Sequence, residues 1–166
     1  MSLTIVYRAY AGETDGKLNR MRPEWFSKFK CWKSFWDVFG KKTNVIVLWD
    51  GEMEGKFFDY IKSFSPIIVN YGKIGNQGGL FQTYELLRES KSDIVATCED
   101  DYYILPECLD IILEGFDYGF PMFTPYEHPD RFILPNQDVS WSKEEIYKGR
   151  NCYFRSVEST TGTCFF

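Results

Sequence analysis

Short, uninterrupted apolar runs recur along this chain and alternate with stretches of helical spacing. The runs are Leu3-Thr4-Ile5-Val6-Tyr7, Val45-Ile46-Val47-Leu48-Trp49, Ile67-Ile68-Val69 and Ile94-Val95-Ala96-Thr97-Cys98. They lack the polar–apolar alternation of a half-solvated strand, so each predicts a strand covered on both faces. Pro23 opens the first helical stretch at a favoured first position, and Gly40 closes it. Within it Trp25, Phe26, Phe29, Trp32, Phe35, Trp36 and Phe39 recur at helical spacing, with Lys28, Lys30 and Lys33 between them. Such a stripe predicts core packing. A second helix carries Phe57, Phe58 and Ile61 and stops before Pro66. A third follows a glycine-rich loop, Asn70 to Gly79, through Leu80, Phe81, Tyr84, Leu87 and Arg88. Pro106 to Leu113 predicts a short helix, and Met122-Phe123-Thr124 a fifth strand. Strands alternating with helices imply an α/β fold, with a mainly parallel central sheet and right-handed crossovers.

Beyond Tyr126 the pattern breaks. Pro125, Pro129 and Pro135 interrupt it, and residues 127 to 150 read as irregular. Cys152-Tyr153-Phe154 and Thr163-Cys164-Phe165-Phe166 read as strands flanking a turn at Thr160-Thr161-Gly162, a small antiparallel part near the C-terminus.

The 166 residues suffice for one domain with a real core. Aromatic residues make up 19%, enough to fill a core and also to line a groove for rings or sugars. A net charge of −5 with no dominant basic patch argues against a nucleic-acid partner. The five cysteines form no C-x-x-C pair, and with a single histidine, His128, they argue against a zinc site. Their odd number fits reduced thiols in a cytosol-like compartment, hence a cytoplasmic protein. No signal peptide or long apolar span is visible. The last residues, Cys164-Phe165-Phe166, break off inside an apolar run, which suggests a piece of something longer.

The fourth run ends abruptly in Glu99-Asp100-Asp101. Adjacent like charges repel and resist common burial. They are either a solvated acidic turn or ligands delivered to a cleft, since carboxylate oxygens suit Mg²⁺ and Mn²⁺. In an open parallel sheet ligands bind beyond the carboxyl ends of the strands. The residues predicted on that rim are Arg8, Asp50, Tyr71, Lys73 and the triplet. Together they suit a nucleoside diphosphate with its metal. Arg8 either contacts phosphate or pairs with a neighbouring acid, and Lys73 is either a phosphate contact or a solvated loop residue. Asp50 is either a turn residue before Gly51 or the acceptor of a uracil or thymine N3–H. The glycine-rich loop is not a P-loop, and no G-x-G-x-x-G follows the first strand. Its glycines either permit a tight turn or approach a phosphate, and the helix amino end after Gly79 offers N–H groups to an anion.

The run Asp93 to Pro106, with its strand, acidic motif and proline before a short helix, resembles the "D-x-D" segment of GT-A fold glycosyltransferases. Asn76-Gln77-Gly78-Gly79 resembles the Gly-Asn segment that opens the preceding helix in inverting members. Asp50 is similar to the acid that reads the pyrimidine, and Thr160 to Phe166 resembles the later Gly-rich strand beside the acceptor. The chain also resembles, more narrowly, the glycosyltransferase domains encoded by large algal viruses. The resemblance implies a single GT-A (Rossmann-like) domain over 1–166. Residues 1–105 would form its nucleotide-binding part, and 106–166 a C-terminally truncated acceptor-side part. It implies Asp101 as the ligand of Mn²⁺ or Mg²⁺, with Glu99 and Asp100 near the ribose or acting through water. The first acid here is Glu rather than the family's Asp.

The expected activity is inverting transfer of a sugar, from a UDP-sugar by the Asp50 reading, to a glycan or other hydroxyl acceptor. Inversion needs a general base within reach of the acceptor oxygen. Candidates are Glu127, Asp130, Asp138 and Glu158, with Asp130 equally able to pair with Arg131. Trp141 and Tyr126 would either stack on a sugar or pack in the core. Two alternatives remain. One is a metal-dependent nucleotidyltransferase, for which Ala11 to Lys17 is a poor imitation of the usual basic Gly-rich loop. The other is a non-catalytic nucleotide-sugar-binding module.

Overall fold

The computed structural model describes residues 1–12, 24–126, 145–150 and 152–156, and the backbone alone of 164–165. The elements run β1 (Leu3–Tyr10), α1 (Lys28–Phe39), β2 (Asn44–Asp50), α2 (Lys56–Lys62), β3 (Ile67–Asn70), α3 (Gly75–Glu89), β4 (Ile94–Glu99), α4 (Cys108–Asp117), β5 (Ile146–Lys148), β6 (Tyr153–Arg155) and β7 (Cys164–Phe165). The main sheet has the order β3-β2-β1-β4-β7. Its first four strands are parallel, and β7 runs antiparallel to β4. β5 and β6 form a separate antiparallel ribbon.

Strand order reverses at β1. The chain builds outward through β2 and β3, then returns to place β4 on the other side of β1. A right-handed crossover in the reversed direction must lie on the opposite face of the sheet. The core divides accordingly. Leu3, Ile5, Tyr7 and Ala9 of β1 pack with α1, α2 and α4, whereas Val6 and Leu48 pack with Leu87 of α3. So the runs that look continuous in sequence are sorted by parity, odd positions of β1 to one face and even positions to the other.

Trp32, Phe35 and Phe39 of α1 are buried and form the aromatic core with Tyr7, as the stripe predicts. The stripe's early members differ. α1 begins at Lys28, Pro23 lies outside the described residues, and Trp25 and Phe29 are exposed. The helix after the acidic motif starts at Cys108, two residues later than Pro106, and extends to Asp117. Met122 to Thr124 forms no strand; Phe123 makes an isolated bridge and packs its ring on Phe116 and Phe154. The segment read as irregular contains β5, which pairs with β6, while β7 pairs with β4. Pairing between distant segments is invisible to local spacing.

Phe35 is fully buried between the Tyr7, Trp32 and Phe39 rings. Phe35→Ala should cost about 3–5 kcal/mol, seen as a lower urea midpoint with unchanged slope. A midpoint within error of the parent would place the core elsewhere.

Candidate functional site

The switch in strand order opens a crevice beyond the carboxyl ends of β1 and β4. Arg8 and Glu99 are register partners there, and Tyr10 is level with Asp50 on β2. By parity Arg8, Asp50 and Glu99 belong to the face covered by α3. The contacts agree. Arg8 Nη1 donates to Glu99 Oε1 at 2.9 Å, and Nη2 donates to Asn76 Oδ1 at 2.6 Å and to the Asn76 carbonyl at 3.2 Å. The side chain of Arg8 is 14% exposed and that of Glu99 34%. Gly79 is buried alongside, and a Cβ there would lie 3.5 Å from Arg8 Nη2. Arg8, Asn76, Gly79 and Glu99 therefore meet at one point.

Asp50 is joined to the same structure from β2. Its Oδ1 accepts the Ile74 N–H at 2.8 Å, tying the β3–α3 loop to the sheet. Asn70 braces that loop, donating to the Trp49 and Gly51 carbonyls and accepting from Gly72 N–H. Gly72 and Gly75 turn the chain at φ +79° and +69°, a region L side chains rarely adopt. The loop thus aims the first turn of α3, whose N–H groups have no partner within the helix, at the crevice. Lys73 is exposed on this loop and makes no hydrogen bond or ion pair with the described residues.

The acidic triplet is split. Asp100 follows Glu99 and turns to the opposite face. Its Oδ2 lies 2.8 Å from Lys28 Nζ and accepts the Tyr10 N–H at 3.0 Å. Lys28 Nζ also donates to the Tyr10 and Gly12 carbonyls at 2.9 Å each, and lies over the Tyr10 and Phe57 rings. Both side chains are nearly enclosed, at 10% and 13% exposure. Burial pushes the Asp100 carboxyl above the ordinary carboxylate range, against the pull of the Lys28 ammonium and the Tyr10 N–H. Asp101 is half-buried in the turn that follows. Glu99 and Asp100 thus meet cationic partners on opposite faces. Among the described residues no group of three or more His, Cys, Asp or Glu side chains is placed to hold a metal.

For Lys28, spacing gives the face of the helix but not the partner, Asp100. Lys28 sits three and four residues before Cys31 and Trp32, both fully buried, so its place on the inward face was available from helical periodicity. Asp130, Asp138 and Glu158, with Glu127, His128 and Trp141, lie outside the described residues. A cavity of about 400 Å³ opens at the amino ends of the strands, lined in part by Thr4, Trp36, Asn44, Pro66 and Ser90. It contains none of the residues expected at the site.

No family model matches the chain, and no curated protein matches it. Among solved structures it is similar to CMP:2-keto-3-deoxy-manno-octonic acid synthetase complexed with CTP. The TM-score is 0.50 at 15% identity, covering 74% of this chain and 51% of that one. The chain thus spans about half the length of that structure. The likeness shows a Rossmann-like α/β fold. Among the described residues no helix is long and apolar enough to cross a membrane.

Removing one member of an enclosed ion pair strands the other charge. Lys28→Met should therefore cost about 3–5 kcal/mol, read from urea unfolding, while Glu99→Gln at the more open pair should cost clearly less. Equal, small losses in both variants would deny Asp100 a structural role.

Proposed function

We propose that the rim around Arg8 binds the nucleoside diphosphate of a nucleotide sugar, and that the chain transfers the sugar to an acceptor hydroxyl. The observation that carries this reading is Arg8 itself. At the switch point of the sheet it joins the first turn of α3 to the end of the acidic strand. A guanidinium beside helix N–H groups suits phosphate oxygens. Glu99, partly open to solvent, is the anion that a phosphate would displace or share.

In this reading Asp50 and the Asn76 segment border the base and ribose, Gly79 lets the α3 backbone come close, and Lys73 reaches the phosphates from its loop. Asp100 acts at a distance, holding the turn through Lys28. Asp101 would hold Mn²⁺ or Mg²⁺ together with phosphate oxygens, as such ions commonly need only one or two carboxylates. When bound, the ion would neutralise charge on the departing diphosphate. The acceptor hydroxyl gives its proton to a carboxylate as its oxygen bonds to the anomeric carbon and the carbon–diphosphate bond breaks. Asp130, Asp138 and Glu158 are the proposed bases. Residues 1–105 would carry the nucleotide and 106–166 much of the acceptor side.

A second reading is nucleotidyl transfer, making an activated sugar rather than using one. It is favoured by the fold likeness to a synthetase complexed with CTP.

Thermal melting tests the binding step, since a ligand of the native state raises the midpoint by mass action. UDP with Mn²⁺ should raise it, ATP should not, and Arg8→Ala should abolish the UDP response. Equal shifts with UDP and ATP would defeat the pyrimidine assignment. Slow release of UDP from a UDP-sugar supports glycosyl transfer. Pyrophosphate release from CTP and a sugar acid supports the second reading. Binding without either product would leave a binding module.

A further inference from the structure

Arg8 is an enclosed cation whose hydrogen-bonding edge is already taken. Nη1 donates to the Glu99 carboxylate, and Nη2 donates to the side chain and the carbonyl of Asn76. Buried Gly79 lies against the same nitrogen. The side chain of Arg8 is 14% exposed, whereas that of its acid is 34% exposed. Both sides of this junction are anchored. Arg8 and Glu99 face each other in the β1–β4 register. On α3, fully buried Thr83 donates to the Gly79 carbonyl at 2.7 Å, and Asp50 holds the Ile74 N–H just before the helix. The first turn of α3 has no acidic residue and no side-chain cap. Its N–H groups and the guanidinium attract anions together. Glu99 is the anion that the chain itself sets against Arg8.

The geometry fixes the sign of what Glu99 does there. A phosphate reaches the guanidinium by taking the place of Glu99 or of Asn76. In the first case the ion pair is lost. In the second a carboxylate remains beside the phosphate, and like charges repel. Both routes weaken binding. Resting on the nucleotide reading above, we infer that Glu99 is a built-in competitor, which occupies Arg8 and weakens every ligand that binds there through phosphate. Small phosphate anions are thereby kept off the rim, and a ligand stays only if it adds contacts elsewhere, as at Asp50 and the α3 loop. A residue that served only to orient Arg8 would have the opposite effect, because its loss would weaken phosphate binding.

The test is isothermal titration of the full chain, in EDTA, with pyrophosphate, UDP and uridine. Glu99→Gln and Glu99→Ala should each tighten pyrophosphate and UDP by about fivefold. Neither should tighten uridine, which has no phosphate. Adding Arg8→Ala to Glu99→Gln should remove the gain, and unchanged far-ultraviolet dichroism would confirm folding. The inference is overturned if both Glu99 variants bind the two phosphate ligands no better than the parent, or if no form binds either of them. UDP that binds the parent but weakens in both Glu99 variants would keep the nucleotide reading and make Glu99 a positioning residue instead. Tightening of pyrophosphate with no preference for UDP over it would keep the competitor and reject the nucleotide reading.

Discussion

A strand buried on both faces sends successive side chains in opposite directions, and this constraint governs the rim of the molecule. Glu99 ends β4, Asp100 and Asp101 lie in the turn that follows, and the contacts of the first two acids run to opposite faces. The sheet assigns Glu99 to the α3 side, where Arg8 meets it, and turns Asp100 to the α1 side, where Lys28 meets it. The repulsion that three adjacent acids would suffer in one pocket is relieved by geometry. Each of the first two acids has its own cation at hydrogen-bond distance.

The two pairs differ in kind. Lys28–Asp100 is enclosed, saturated by backbone partners and pressed between aromatic rings. Such a pair contributes little net stability compared with apolar packing, but losing half of it is costly. It works as a clamp that fixes where the acidic turn lies relative to α1. Arg8–Glu99 is more open and sits where the sheet reverses order, facing the first turn of α3. Exchange of one anion for another is easiest there. A comparable clamp sits farther along: buried Glu114 of α4 accepts the Arg150 N–H, and Tyr118 donates its hydroxyl to the Lys148 carbonyl, docking the β5–β6 ribbon.

Much of the architecture is readable from local pattern. The four apolar runs are the four parallel strands, and the glycine-rich stretch leads into α3, which begins at Gly75 within that stretch rather than after Gly79. That Arg8, Asp50 and Glu99 would share a rim follows from strand ends alone, and the contacts join Asn76 and Gly79 of α3 to them. What local pattern misplaced involves partners far along the chain. Phe123 needs Phe154 to explain its packing, β5 needs β6, and β7 needs β4. The roles of Asn70 as a loop brace and Lys28 as a counter-ion likewise depend on neighbours that spacing cannot name.

The amino-acid sequence by itself determined the class of fold, because continuous apolar runs between helical stretches can be buried in few other ways. It also determined which residues reach the carboxyl edge. Only the tertiary structure decided the strand order, and with it the face on which each edge residue lies. Charge pairing depends on distances of a few ångströms between segments as many as 91 residues apart, as for Arg8 and Glu99. Separations along the chain contain no record of that proximity until the sheet closes it.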